Sequence, residues 1–257
     1  MSKIIWITGA GSGIGAELAK QYDVNGNTLI LSGRKVEPLH NIAKTLSNAE
    51  VLPLDVTDEN DILKAVSFVL DKYKKVDILI NNAGVSQRSL TKDITNEVGK
   101  ALMDVNFYGS IHLTKALLPS MLDRNSGEIA VMSSAAGKFG FPLRSYYAAA
   151  KHALHGFYDT LALELRDTNI HILLVCPGRV NTDISKNALT ASGKSHDKMD
   201  KSHETGVPVD KCARMIRKAL KRKKHEVYIG SGEVFLIYLK RYIPSLFWYI
   251  AKKVSPK

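Results

Sequence analysis

Tyr147 and Lys151 stand four residues apart in the stretch SYYAAAKHALHG, Ser145 to Gly156. On a helix, residues at that spacing share a face, so the lysine is a neighbour of Tyr147, whereas Tyr146 has Ala150 at the same offset. An ammonium held near a phenol favours the phenolate and lowers the tyrosine pKa toward a range useful for general acid/base chemistry. The small alanines between the two leave room for a ligand to lie close. The same spacing is common on exposed amphipathic helices, so the rest of the chain has to decide its meaning.

A second chemical signal lies at the start. The apolar run KIIWIT ends in TGAGSGIG, Thr8 to Gly15, and the helical pattern AELAKQYDV follows. The glycines are spaced G-x-x-x-G-x-G through Gly9, Gly13 and Gly15. A glycine-rich turn between strand and helix lets backbone N–H groups approach a pyrophosphate, which the helix N-terminus stabilises.

The elements that must position these residues are legible as an alternation. KIIWIT, NTLILS, EVLPLD, VDILIN, GEIAVMS, IHILLVC and EVYIG read as strands, with helix-length segments between them. Several are continuous apolar runs, the pattern of strands buried on both faces of a parallel sheet. The expected fold is α/β, a doubly wound parallel sheet of about seven strands with helices on both faces, in a single domain. At 257 residues with 45% hydrophobic content the chain can bury one large core. Residues 1–233 form the expected catalytic domain, with a polar insertion or lid at 181–206, and residues 234–257 a basic, aromatic tail.

Cys176 and Cys212 are the two cysteines, far apart and without metal-ligand spacing, so neither a disulfide framework nor a metal site is expected. The start MSKIIWITGAG has no long apolar segment of the secretory kind, and a cytoplasmic location is expected. The formal charge of +11 is concentrated at one end: from Val209 onward 13 Lys/Arg face three acids, whereas residues 1–208 carry 23 against 22. No recognition motif accompanies these cations, which disfavours a nucleic-acid partner.

In order and spacing, TGAGSGIG at 8–15, LDV at 54–56, NNAG at 81–84, Asn106 in DVNFYG, SSAAG at 133–137, YAAAK at 147–151 and CPGRVNT at 176–182 resemble the motifs of the short-chain dehydrogenases/reductases. The resemblance covers nearly the whole chain. It implies a catalytic set of Asn106, Ser134, Tyr147 and Lys151; Ser134 is preferred over Ser133 because it lies 13 residues before Tyr147, the offset that family uses. Tyr147 would donate a proton to a carbonyl oxygen as hydride arrives from a nicotinamide, or take it back in reverse. Ser134 would hydrogen-bond the same oxygen. Lys151 would lower the Tyr147 pKa and hold the ribose hydroxyls, and Asn106 would position a water leading to solvent. Tyr146 receives no role, and His152 and His155 are expected to pack at a surface or interface.

The same resemblance implies a dinucleotide held at its pyrophosphate by Gly9, Gly11, Ser12, Gly13, Ile14 and Gly15. Asp55 and Val56 would flank the adenine, Asn82, Ala83 and Gly84 the adenosine side, and Pro177, Gly178, Val180 and Thr182 the nicotinamide end beside Tyr147 and Lys151. At the end of the second strand, LILSGRKVEPL carries Arg34 and Lys35 and no Asp at the turn, which favours the 2′-phosphate of NADP over the free 2′-hydroxyl of NAD. Ser12 departs from this, since many NADP-preferring relatives carry a cation there.

The C-terminal third is similar to the branch that includes dehydrogenase/reductase member seven and, more distantly, the 11-beta-hydroxysteroid dehydrogenases. That implies a bulky apolar carbonyl or alcohol substrate and a homodimer or homotetramer built on the helices that carry Asn106 and Tyr147. The aromatic and basic tail is open to two readings: peripheral contact with a membrane surface, or packing over the substrate pocket or a second subunit. Its apolar runs are too short to span a bilayer needing about 20 residues. A reading of another class also stays open, a nicotinamide-binding scaffold or sensor without turnover.

Overall fold

A strand covered on both faces needs apolar side chains at consecutive positions, and this chain supplies them at regular intervals. In the computed structural model, which describes residues 2–24, 26–198 and 204–253, these runs become β1 (Ile4–Thr8), β2 (Thr28–Gly33), β3 (Ala49–Pro53), β4 (Ile78–Asn81), β5 (Gly127–Met132), β6 (Ile170–Pro177) and β7 (Glu226–Ile229). They form one seven-stranded sheet in the order β3-β2-β1-β4-β5-β6-β7, every pair parallel. The order reverses between β1 and β4, where chains leave to opposite faces and a crevice opens at the carboxyl ends of the strands.

Alternation along each strand divides the core in two. Trp6, Ile30, Leu79, Ile129 and Ile172 point to one face, where α3 (Glu59–Tyr73), α5 (Gly109–Asp123) and α6 (Ser145–Glu164) cover them. Ile5, Ile7, Leu29, Ile80 and Leu173 point to the other, under α1 (Gly13–Tyr22), α2 (Val36–Ala43) and α7 (Val209–Lys221). Trp6 is fully buried, and its indole N–H donates to Ser32 Oγ at 2.9 Å, so the one polar atom of the largest core side chain is satisfied.

Between α4 (Asn96–Met103) and α5 the helix widens into a π-turn at Asp104–Tyr108, which carries Asn106. Such local widening costs backbone regularity and is often found where a side chain must be aimed. After β7 come α8 (Gly232–Tyr242) and α9 (Pro244–Ala251). Their inner face buries Ile237, Leu239 and Phe247 against Ala135 and Phe139, with the Phe139 and Phe247 rings 5.3 Å apart. Their outer face exposes Phe235, Tyr238, Tyr242, Trp248 and Tyr249. Among the described residues, no helix is long and apolar enough to cross a membrane.

The segment 181–206 lies partly outside the described residues, at 199–203. Its described part is tied down: Leu189 N–H donates to Ser86 O at 2.9 Å and Arg88 N–H to Leu189 O at 2.8 Å, while Ser185 and Ala188 are buried. Through Leu189, its described part is paired to the loop after β4.

Candidate active site

The ends of β1, β4, β5 and β6 deliver the residues. Beyond β5, Ser134 starts a short 3-10 turn, Ala135–Gly137, by accepting the Ala136 N–H at 3.1 Å, and its hydroxyl donates to Pro177 O at 3.3 Å. The start of α6 is capped from outside: Gln87 Oε1 accepts the N–H groups of Tyr146 at 2.9 Å and Tyr147 at 3.2 Å. This fully buried glutamine satisfies donors that a helix N-terminus leaves open, and so fixes where Tyr147 begins. Sequence reasoning missed Gln87, because its cap comes from a residue 59 positions away in the chain.

Tyr147 and Lys151 project from one face of α6, as their spacing required, with Lys151 Nζ 5.7 Å from the Tyr147 ring centroid. Tyr146 points elsewhere and packs over Gly99 of α4, where any added Cβ would run into its ring. Lys151 donates to Met132 O at 2.7 Å. Asn106 accepts the Val85 N–H at 3.2 Å and donates to Val85 O and Leu102 O, both at 2.9 Å. Gly84 lies between Asn106 and Lys151; a Cβ there would come 2.9 Å from Asn106 Oδ1 and 3.6 Å from Lys151 Nζ. Ser134, Tyr147, Lys151 and Asn106 thus line one cavity of about 710 Å³.

Burial raises the Tyr147 phenol, opposed by the Ser134 hydroxyl and by the charges of Arg144 and Arg88. Burial also pulls the Lys151 pKa down to about 7, so at neutral pH its charge is only partly present. Between about 7 and the ordinary lysine value of 10.5 the unfolded chain holds a proton that the folded chain has released. Stability of the ligand-free protein therefore rises with pH across this window, by up to about 1.4 kcal/mol per unit, and the penalty is complete below it. Urea unfolding at pH 7, 8 and 9 checks this: the wild type gains stability and Lys151→Met shows a flatter profile.

The glycine turn forms a cradle that side chains would fill. Gly9 and Gly13 have φ of 64° and 54°, in the left-handed region that favours glycine. A Cβ on Gly15 would collide with the Gly9 carbonyl oxygen and the Asn82 amide, and one on Gly11 would come 3.0 Å from the Pro38 ring. Asn82 braces the turn, donating to Thr8 O at 3.0 Å and Gly9 O at 3.1 Å, while Thr8 Oγ1 accepts the N–H groups of Asn82 and Ala83. Ser12 caps α1 through its backbone alone, and Ile14 lines the cavity. Arg34 and Lys35 are exposed just beyond β2. Asp55 holds the turn after β3 by accepting from the Thr57 N–H and hydroxyl, and the buried Val56 abuts Gly109. These features fit a dinucleotide, with bare backbone at the pyrophosphate and cations beyond the second strand.

On the far wall, Pro177, Gly178, Val180 and Thr182 leave β6, with Thr182 against Gly13 and Val180 buried. Glu233, a residue absent from the sequence reading, locks this loop. Its carboxylate accepts the Arg179 N–H at 2.7 Å, and a Cβ on Gly178 would strike it. Nothing in the sequence links Glu233 to the loop, since only the start of α8 brings it there.

His155, expected at a surface or interface, is buried instead. Its Nε2 lies 2.9 Å from Ser133 Oγ and 3.7 Å from Cys176 Sγ, and Nδ1 faces Glu226 at 3.5 Å. Lys138 holds the same Glu226 carboxylate at 2.7 Å. Burial, helped by the Lys138 charge, lowers His155 to about 4, so the imidazole is neutral. His155 stands four residues after Lys151 and so continues the inward face of Tyr147 and Lys151, over the end of β6.

The sequence profile of the short chain dehydrogenase family matches residues 3–192. The chain belongs to this family. Among similar short-chain dehydrogenases, the dehydrogenase/reductase SDR family protein 7-like of Drosophila melanogaster is 40% identical over 98% of this chain and 80% of its own length. Dehydrogenase/reductase SDR family member 7 of Homo sapiens is 36% identical over 99% of this chain and 78% of its own. A short-chain dehydrogenase structure from Streptomyces avermitilis superposes with a TM-score of 0.83 at 29% identity, covering 98% of this chain and 96% of that one.

Proposed function

We propose that this short-chain dehydrogenase is an NADP(H)-dependent oxidoreductase that interconverts a carbonyl and a secondary alcohol on a bulky, largely apolar substrate. The observation that carries the reading is the convergence of Ser134, Tyr147, Lys151 and Asn106 on one cavity beside a glycine cradle. Bound nicotinamide supplies or takes the hydride. Tyr147 holds the proton for the substrate oxygen, and Ser134 orients that oxygen, its hydroxyl lying between the phenol and the β6 end. Lys151, partly charged near neutrality, can pass a proton as well as hold one. Phe141, Leu143 and Ile184 provide an apolar wall for the body of the substrate.

In support of NADP(H) over NAD(H), Arg34 and Lys35 are exposed just beyond β2 and offer cations to a 2′-phosphate. Fluorescence titration with NADPH and NADH in parallel tests it. Arg34→Asp is expected to weaken NADPH binding roughly tenfold or more while sparing NADH; equal affinities in the wild type would remove the preference. Binding of either cofactor with no oxidation of NADPH by any ketone would favour the scaffold reading.

The homo-oligomer stays part of the proposal, as does the outer face of α8 and α9 as a peripheral membrane contact. That face supports it with exposed aromatics beside Lys240, Arg241, Lys252 and Lys253.

A further inference from the structure

Behind the catalytic wall stands a second group of side chains with donor atoms. His155 of α6, Cys176 at the end of β6 and Glu226 at the start of β7 each offer one, and these atoms all lie within 4.8 Å of one another. Cys176 Sγ is 3.2 Å from Glu226 Oε1, and His155 Nδ1 is 3.5 Å from the same oxygen. Tetrahedral zinc with a sulfur, a nitrogen and an oxygen ligand holds those atoms about 3.3–3.6 Å apart, so two of the three edges are near that length. No spacing along the chain announces the group, because three separate elements deliver it.

The hydrogen bonds around His155 decide which ring atom is left over. Ser133 Oγ donates its one proton to Lys151 O at 3.2 Å, so it accepts from the imidazole Nε2–H, 2.9 Å away. Nδ1 is then a bare lone pair. His155 is only 8% exposed, Nδ1 makes no hydrogen bond among the described residues, and it faces a carboxylate oxygen. Electron-pair donors turned on one another repel unless a cation lies between them. The surroundings are those of a ligand set, in which outer partners fix the orientation of each ligand. Ser133 does this for the imidazole, and the Tyr228 hydroxyl does it for the carboxylate by donating to Glu226 Oε2 at 2.7 Å.

Two protein groups compete with a metal ion here. Lys138 Nζ is 2.7 Å from Glu226 Oε1, but it leaves Nδ1 without a bond. The Lys138 and Glu226 side chains are 24% and 27% exposed, so the ammonium has a path to water and an ion has a path in. Burial and the Glu226 charge also hold the Cys176 thiol protonated, and a metal ion has to displace that proton.

We propose that His155 Nδ1, Cys176 Sγ and Glu226 Oε1 form a zinc site, with a water as the fourth ligand on the side of Lys138. On binding, the thiol proton passes to solvent, the Lys138 ammonium turns out to water, and bonds from zinc to sulfur, nitrogen and oxygen replace their contacts. The ion ties α6, β6 and β7 together directly behind the catalytic residues. Ser133 precedes Ser134 and bonds Lys151 O, and Cys176 precedes Pro177, whose carbonyl accepts from Ser134. It braces the site and does not meet the substrate, so it stands independently of the oxidoreductase reading.

Cobalt(II) is the probe, added to the purified full chain after treatment with a chelator. The expected result is a single cobalt ion per chain, with a near-ultraviolet thiolate-to-cobalt band and the visible bands of a four-coordinate ion, all abolished by added zinc. Zinc should also raise the unfolding midpoint. Cys176→Ala should remove the near-ultraviolet band, and His155→Gln and Glu226→Gln should weaken binding by roughly tenfold or more, at least the loss that follows removal of an outer partner. Lys138→Met should tighten binding severalfold, because it removes the competing cation. Incomplete folding does not imitate a gain in affinity, so the Lys138 variant decides where the others fold poorly.

Absence of the near-ultraviolet band at saturating cobalt would overturn the site. Cobalt binding with the same affinity and spectrum in wild type, Cys176→Ala and Lys138→Met would overturn it too, by giving the ion to other histidines and carboxylates of the chain.

Discussion

Tyr147→Phe is expected to leave NADPH affinity nearly unchanged and to lower carbonyl turnover by roughly 10²–10⁴-fold, the range that a positioned general acid contributes. The argument is one of geometry. The ring of Tyr147 packs with Ala136 and Ala148, and its backbone N–H is capped by Gln87, so removing one oxygen leaves the fold and the start of α6 in place. What disappears is the phenolic proton at a position that shares a hydrogen bond with Ser134. Burial raises the phenol in the ligand-free protein, which favours the protonated form, the one able to donate to a carbonyl oxygen. Single-turnover kinetics with preloaded NADPH measure the chemical step directly. Turnover within about threefold of wild type would mean that another group supplies the proton, and Lys151, titrating near 7, would be the first to replace in combination.

Gly15→Ala is the second large effect, on binding rather than chemistry. The added methyl would collide with the Gly9 carbonyl oxygen and with the Asn82 amide, both of which belong to the same braced turn. The first is backbone, and the second is a side-chain amide held by its bonds to Thr8 O and Gly9 O, so the backbone of the cradle has to move. Overpacking of this kind costs about 1–3 kcal/mol. Where the displaced atoms are the ones that face the pyrophosphate, the expected loss of cofactor affinity is roughly tenfold to 100-fold, with a lower unfolding midpoint besides. Gly156→Ala is the control: no atom lies within 4 Å of its added Cβ, so affinity and stability should hold. Titration calorimetry with NADPH on both variants gives the comparison, and equal affinities would show that the turn yields without cost.

How far the sequence alone reached depends on the range of the forces involved. Periodicity is local, so seven apolar runs read correctly as seven strands, and continuous rather than alternating apolarity announced a sheet covered on both faces. The four-residue spacing in YAAAK chose Tyr147 over Tyr146 because helix geometry fixes which side chains share a face. The glycine turn was equally legible, since conformations such as those of Gly9 and Gly13 leave a mark in residue type.

Tertiary structure alone decided the rest. Gln87 caps α6 from another loop, Glu233 fastens the loop after β6 from the start of α8, and neither residue type signals its partner in advance. His155 continues the Tyr147–Lys151 face by the same four-residue spacing, but what buries it is Ser133, Cys176 and Glu226 from other elements, which spacing does not name. The electrostatics of the site were hidden for the same reason. Burial is a property of the assembled core, and it is burial that brings Lys151 down to about 7 and sets two arginines from distant positions to act on one phenol. Local spacing determined which residues could do chemistry; long-range packing determined the dielectric and the neighbouring charges under which they do it.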